Sequence, residues 1–76
     1  MTVKELKQVA NEMHKAGYSD EVIINGFASM YLDNKITADE FNGIVNIMGY
    51  HLTDDFLKLN DKQKRAFIKE SFKVKK

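Results

Sequence analysis

The amino-acid sequence predicts an all-α protein: a compact bundle of four to five short helices forming one domain over residues 1–76, with residues 74–76 as a loose tail. Three observations carry that expectation. Apolar side chains recur at intervals of three and four from end to end, the period of a helix with one buried face. Residues that cap helix starts stand ahead of the periodic stretches. The chain contains no proline, and no segment alternates apolar and polar residues long enough to form a half-buried strand.

The first helix is expected near residues 2–16. Thr2 stands three places before Glu5, so the hydroxyl accepts an orphan backbone N–H and the carboxylate reaches back to the cap. Val3, Leu6, Ala10 and Met13 then share one face, and His14 stands at its edge. A second helix is expected near 19–33, started by Ser19 with Asp20 and Glu21 at its positive end. It buries Ile23, Ile24, Phe27, Met30 and Tyr31, while Asn25, Ser29 and Asp33 face water. A third runs near 37–48 from a Thr37–Glu40 capping pair. It buries Phe41, Ile44, Val45 and Met48 and turns Asp39, Asn42 and Asn46 outward. A short fourth covers about 53–59 behind Thr53, Asp54 and Asp55, with Phe56, Leu57 and Leu59 apolar. A fifth covers about 60–73 behind an Asn60–Gln63 pair, with Phe67, Ile68 and Phe72 inward.

Gly17 and Gly49 mark helix stops, where a left-handed residue follows the last turn. Each is followed by a tyrosine, Tyr18 or Tyr50, whose ring is expected to close over the edge of the core. Gly26 and Gly43 fall inside helices at a propensity cost of about 1 kcal/mol each. The expected reason is close approach of two helix backbones. The loops are short, so consecutive helices must pack on one another.

A chain of 76 residues has a small core and modest stability. A hydrophobic fraction of 43% is enough to fold and too high for a disordered tail. Without cysteine there is neither a disulfide nor a thiolate metal site, which fits a reducing compartment. The opening Met-Thr-Val-Lys-Glu-Leu lacks the apolar stretch of a secretory signal, and the longest apolar runs are two to three residues. The expectation is a cytoplasmic protein with no membrane partner and no cofactor.

Several motifs suggest chemistry and give way to simpler readings. Asp33 to Phe41 resembles the second half of an EF-hand calcium loop, with Ile36 four places before Glu40 and Phe41 after it. Aligned on Glu40, the first ligand positions fall on Ser29 and Tyr31, so the ligand count fails. The expectation is a turn at Asp33-Asn34-Lys35 and a cap at Thr37. Met48-Gly49-Tyr50 resembles the Met-Gly-Phe/Tyr loop of ubiquitin-associated and related three-helix modules, but the Ala-Leu pair of their next helix is missing. No binding residues carry over. A DNA-reading helix after Gly17-Tyr18-Ser19 would present Asp20 and Glu21 to phosphates, which repels them. His51, Asp54 and Asp55 form a possible divalent-metal group whose simpler reading is a helix cap with acids at the dipole. No catalytic order of nucleophile, base and acid appears, and a chain this short rarely builds a cleft that excludes water. An enzyme is not expected.

Charge separates by position. Residues 1–57 hold four lysines against nine acids, a net of −5; residues 58–76 hold eight cations against two acids, a net of +6. Lys62, Arg65, Lys69, Lys73 and Lys76 follow one another at intervals of 3, 4, 4 and 3, placing five cations along one stripe of the last helix. The expected function is a small protein-binding module, a regulator or inhibitor of a larger protein. Its contact surface is either the polar region around Asp20, Glu21, Asp39 and Asp54 or this basic stripe. The alternative is non-specific nucleic-acid binding through the stripe.

Overall fold

The computed structural model describes residues 2–52 and 55–72. Four helices follow in order: α1 (Val3–Lys15), α2 (Asp20–Leu32), α3 (Ala38–Ile47) and α4 (Asp61–Phe72), with a single 3-10 turn at Phe56–Lys58 before the last. No strand occurs among the described residues. The bundle measures 35 × 24 × 21 Å.

The helix starts are held as their sequences require. Thr2 Oγ1 accepts from the Glu5 N–H at 3.2 Å, and Glu5 Oε1 accepts from the Thr2 N–H at 3.0 Å. Thr37 and Glu40 repeat the exchange at 3.1 and 2.8 Å. Asn60 and Gln63 do so at 2.8 and 3.2 Å, and Ser19 Oγ accepts from the Val22 N–H at 3.3 Å. Each pair satisfies donors that the first helical turn leaves without partners.

One terminating turn ends α1, α2 and α3 alike. Gly17, Asn34 and Gly49 adopt positive φ of 95°, 63° and 90°. The N–H of the next residue then reaches back five places: Tyr18 to the Met13 carbonyl, Lys35 to Met30, and Tyr50 to Val45. Carbonyls that would otherwise end unpaired are satisfied, and the chain reverses within a few residues. The Gly-Tyr echo in the sequence is therefore a shared helix stop. The two rings do not close over the core: Tyr18 is 52% and Tyr50 44% exposed.

Helix α2 is the centre of the molecule. It buries Ile23, Ile24, Phe27, Ala28, Tyr31 and Leu32, and α1, α3 and α4 all pack against it. Leu6 and Ala10 come in from α1, Phe41, Ile44 and Val45 from α3, and Ile68 from α4. Ile36 and Phe56 complete the core from the connecting segments. Aromatic rings cross this core as a continuous chain. Phe72 meets Phe41 edge-on at 5.7 Å, Phe41 stacks on Tyr31 at 5.9 Å, Tyr31 meets Phe56 at 6.4 Å, and Phe56 meets Phe67 at 5.7 Å. Such pairs are worth about 0.5–1.5 kcal/mol each beyond the area they bury.

Three expectations need correction. In place of the fourth helix expected over 53–59, the described residues 55–59 hold a 3-10 turn of three residues; Phe56 is buried but Leu57 is 43% exposed, and Thr53 and Asp54 lie outside the described residues. Leu59 is already extended, with ψ of 155°, so the chain leaves the turn just before the Asn60 cap of α4. Gly43 faces a side chain rather than a helix backbone: a Cβ there would stand 3.0 Å from Val3 Cγ2. Gly26 faces open space.

Two predictions follow from this geometry. Gly26→Ala should raise the unfolding free energy by about 0.5–1 kcal/mol, because the helix gains propensity and nothing is displaced. Gly43→Ala should lack that gain, since Val3 is β-branched and rotates with difficulty, and Val3→Ala in the same chain should restore it; urea melts of the three variants check this. The second prediction concerns acid. The Thr2 N–H holds the Glu5 carboxyl below its ordinary value of 4.5, and the Thr37 N–H does the same for Glu40. A carboxylate depressed in the folded state stabilises the fold above its unfolded pKa and loses that contribution as pH falls through the folded one. The urea midpoint should therefore drop between about pH 5 and pH 3. The Glu5→Gln/Glu40→Gln variant keeps an acceptor oxygen at each cap and should show a shallower drop.

Candidate protein-binding surface

The helix directions bring particular ends together. Val3 at the start of α1 lies against Gly43 in the middle of α3, while His14 shares a groove with Ile47 and Met48 near the ends of both. α1 and α3 therefore run the same way, and both stop at the end of the bundle where α2 starts. Helix α4 runs antiparallel to α2: Arg65 reaches the α2 C-terminus, and Ser71 and Phe72 stand beside Glu21 and Asn25 at its start. One end of the bundle thus collects the stops of α1 and α3, the start of α2 and the close of α4.

Exposed apolar side chains concentrate at this end. The large hydrophobic residues left exposed among the described residues are Tyr18, Val22, Ile47, Tyr50 and Leu57. All but Leu57 sit in the last turn of α1 or α3, in the turn after it, or in the first turn of α2. Tyr50 borders a small apolar hollow of about 160 Å³ with Ile24, Phe72 and the carboxylate-bearing Glu21. A larger groove of about 280 Å³ lies between two helical ridges. Lys7, Ala10, Asn11 and His14 form one side of α1, and Ile44, Ile47 and Met48 one side of α3. Asp20 closes the groove at the α2 start, where its Oδ1 lies 2.7 Å from His14 Nε2.

The residues expected to carry contacts do not form one surface. Asp20 is half-buried and paired with His14, and Glu21 is exposed beside it. Asp39 is exposed in the first turn of α3, at the opposite end of the bundle. Asp54 lies outside the described residues, as do Lys73 and Lys76. Lys62 and Lys69 are exposed on α4. Arg65, between them in the stripe, turns inward. Its Nη1 donates to the Leu32 carbonyl at 2.8 Å, its Nη2 donates to Asn34 Oδ1, and its Nε donates to Asp61 Oδ2 at 3.3 Å. The guanidinium also lies over the Tyr31 ring, 5.5 Å from its centre. That phenol is buried with no hydrogen-bond partner for its oxygen, and burial pushes its pKa up, reinforced by the Asp61 charge and opposed by Arg65.

The exposed apolar cluster was not singled out from the sequence, although a signal existed. Val22 and Ile47 fall well off the buried faces of their own helices, where a soluble helix normally carries polar residues. The His14–Asp20 pair was legible too: the two stand on either side of a Gly17 stop that folds one helix end over the next start. Among the described residues no group of three or more His, Asp or Glu is placed to hold a metal ion, and no helix is long and apolar enough to cross a membrane. No protein-family model matches the chain, and no curated protein or solved structure matches it.

The Arg65 arrangement yields a prediction. Arg65→Ala should cost about 1–3 kcal/mol, because a buried carbonyl and a helix end lose a charged donor. Arg65→Lys should recover only a minor part, since an ammonium cannot reproduce the fork. Lys62→Ala and Lys69→Ala should move stability by less than about 0.5 kcal/mol; thermal melts compare the four.

Proposed function

We propose that this chain is a small cytoplasmic protein-binding module that regulates or inhibits a larger protein by occupying it, without catalysing a reaction. The partner seats on the end of the bundle where α1 and α3 stop and α2 starts. The observation that carries this reading is the convergence there of Tyr18, Val22, Ile47 and Tyr50, each more than two-fifths exposed. Leaving four large apolar side chains in water at one end costs hydrophobic free energy that a partner surface would recover. Two tyrosines suit a contact, since a ring buries much area at little entropic cost and its hydroxyl keeps a hydrogen bond. Polar groups at the margin, His14, Asp20 and Glu21, supply a rim that orients the partner.

Nucleic-acid binding through α4 has less support. Arg65, the cation best suited to grip a phosphate, is committed to Leu32, Asn34 and Asp61. Lys62 and Lys69 remain as exposed cations among the expected contact residues that are described.

The discriminating experiment is affinity capture from the native host with three baits: the unmodified chain, Ile47→Asp, and Lys62→Glu/Lys69→Glu. Ile47 is half in solvent, so its replacement should leave the circular dichroism and melting curve unchanged. Loss of the captured protein from the Ile47→Asp bait alone is the expected result. Equal capture by all three baits would remove the reading. Duplex retention that collapses with salt and vanishes only in the lysine variant would replace it with the nucleic-acid alternative.

A further inference from the structure

We propose that Asn25 and Asn42 are deamidation sites held closed by their helices, and that Asn42 converts first, when α3 opens. This inference does not depend on any partner.

Both residues stand directly before a glycine, Asn25 before Gly26 in α2 and Asn42 before Gly43 in α3. Glycine has no Cβ to shield its backbone nitrogen, so the preceding asparagine side chain can reach that nitrogen in an unfolded segment. The glycine N–H gives up its proton and the nitrogen attacks Asn Cγ. An N–C bond forms, the side-chain nitrogen takes up a proton and leaves as ammonia, and a cyclic imide remains. Water then adds at either imide carbonyl and opens the ring to aspartate or isoaspartate. Water is the only co-reactant. The remaining asparagines, Asn11, Asn34, Asn46 and Asn60, precede Glu12, Lys35, Ile47 and Asp61, whose side chains crowd the attacking nitrogen.

The folded backbone blocks the attack. Gly26 and Gly43 both lie well inside their helices. An interior helix N–H is engaged by the carbonyl four places back, and the helical ψ holds its nitrogen out of line with the preceding side chain. Conversion therefore waits for the helix to open, and its rate is the chemical rate reduced to the fraction of time spent open.

The two helices differ in what opening disrupts. α2 buries six side chains and packs against all three other helices, whereas α3 buries only Phe41, Ile44 and Val45. A segment held by fewer buried apolar contacts opens at a lower free energy. At Gly43 the neighbour to be parted is Val3 of α1, while Gly26 faces open space.

Conversion changes the fold. Either product adds a negative charge to the helix, and isoaspartate inserts an extra carbon into the backbone, which breaks the helical register. In α3 that break falls between Phe41 and Ile44 of the core, with the half-exposed Ile47 beyond it. By keeping α3 closed, the packing holds an irreversible step in check.

The test incubates the full chain at mildly alkaline pH, folded in buffer and unfolded in guanidinium chloride, and follows tryptic peptides by mass spectrometry. Unfolded, both Asn-Gly pairs should convert at similar rates and ahead of the other asparagines. Folded, both should slow, with Asn42 about tenfold faster than Asn25, which corresponds to an opening that costs about 1.4 kcal/mol less. Val3→Ala should speed Asn42 more than Asn25, and Gly43→Ala should slow Asn42 even in the denaturant. Circular dichroism verifies the fold of each variant, and the comparison within the unmodified chain stands without them. Equal rates in the folded chain, or Asn25 converting first, overturns the order. Folded rates equal to the unfolded ones overturn closure by the helices. Absence of conversion at both sites in the folded chain overturns the proposal outright.

Discussion

Helix α2 buries a face wide enough to need three neighbours, and this constraint organises the rest of the molecule. Thirteen residues long, it buries six side chains across about half of its circumference. So wide an apolar face is stable in water only when more than one neighbour covers it. Among the described residues there are three other helices, and each is used: α1 and α3 cover one part of α2, and α4 another. The tight stops at Gly17 and Asn34 follow from that need, because only a sharp reversal lets the flanking helices return along α2 at once. The ring chain from Phe72 through Tyr31 to Phe67 has the same origin. It fills the space where α3, α4 and the 3-10 turn meet the central helix.

Enclosing α2 also decides which surfaces remain. Because α1 and α3 run together and α2 and α4 oppose each other, one end of the bundle receives two helix stops, one helix start and the end of the basic helix. The other end is occupied by the Arg65 arrangement. There a guanidinium supplies a donor to the Leu32 carbonyl and positive charge to the negative end of α2, and holds Asn34 in the turn. That end is held by charged and polar donors, although the buried Tyr31 hydroxyl beneath the guanidinium finds no partner. The end at Tyr18 and Tyr50 instead leaves apolar rings and Ile47 in water. The contrast between the two ends, more than the charge imbalance along the chain, is what supports the proposed binding surface.

Much of the fold was legible in the sequence, and the reason is local. Thr2, Ser19, Thr37 and Asn60 act within three residues, so their chemistry is written beside them, and all four form the caps their spacing implies. The buried faces of α1, α3 and α4 follow from periodicity for the same reason. What was not legible depends on contacts distant in sequence. Ala28 and Leu32 are buried beyond the expected stripe because α4 arrives from more than thirty residues away. Gly26 and Gly43 look alike in sequence, yet one meets water and the other meets Val3. The 53–59 segment carries a helix-start signature at Thr53, Asp54 and Asp55, but its described residues form only the Phe56–Lys58 turn, because Leu59 is extended ahead of the Asn60 cap.

The same distinction bears on the candidate site. A stripe of cations read from spacing assumes that every member points to solvent. Arg65 does not: its angular position on α4 places it at the border of the packed face, where the α2 carbonyls end. A helical spacing pattern defines a direction around one helix and is blind to what stands in that direction. Charges counted along a sequence therefore overstate a free basic surface wherever a long side chain can reach a neighbouring helix end. Apolar residues off the buried face carry the opposite information. Val22 and Ile47 lose hydrophobic free energy by facing water, and no local rule about caps or turns accounts for them. In a bundle whose caps and stops are otherwise satisfied, residues that violate the pattern without a structural return are where binding is best sought.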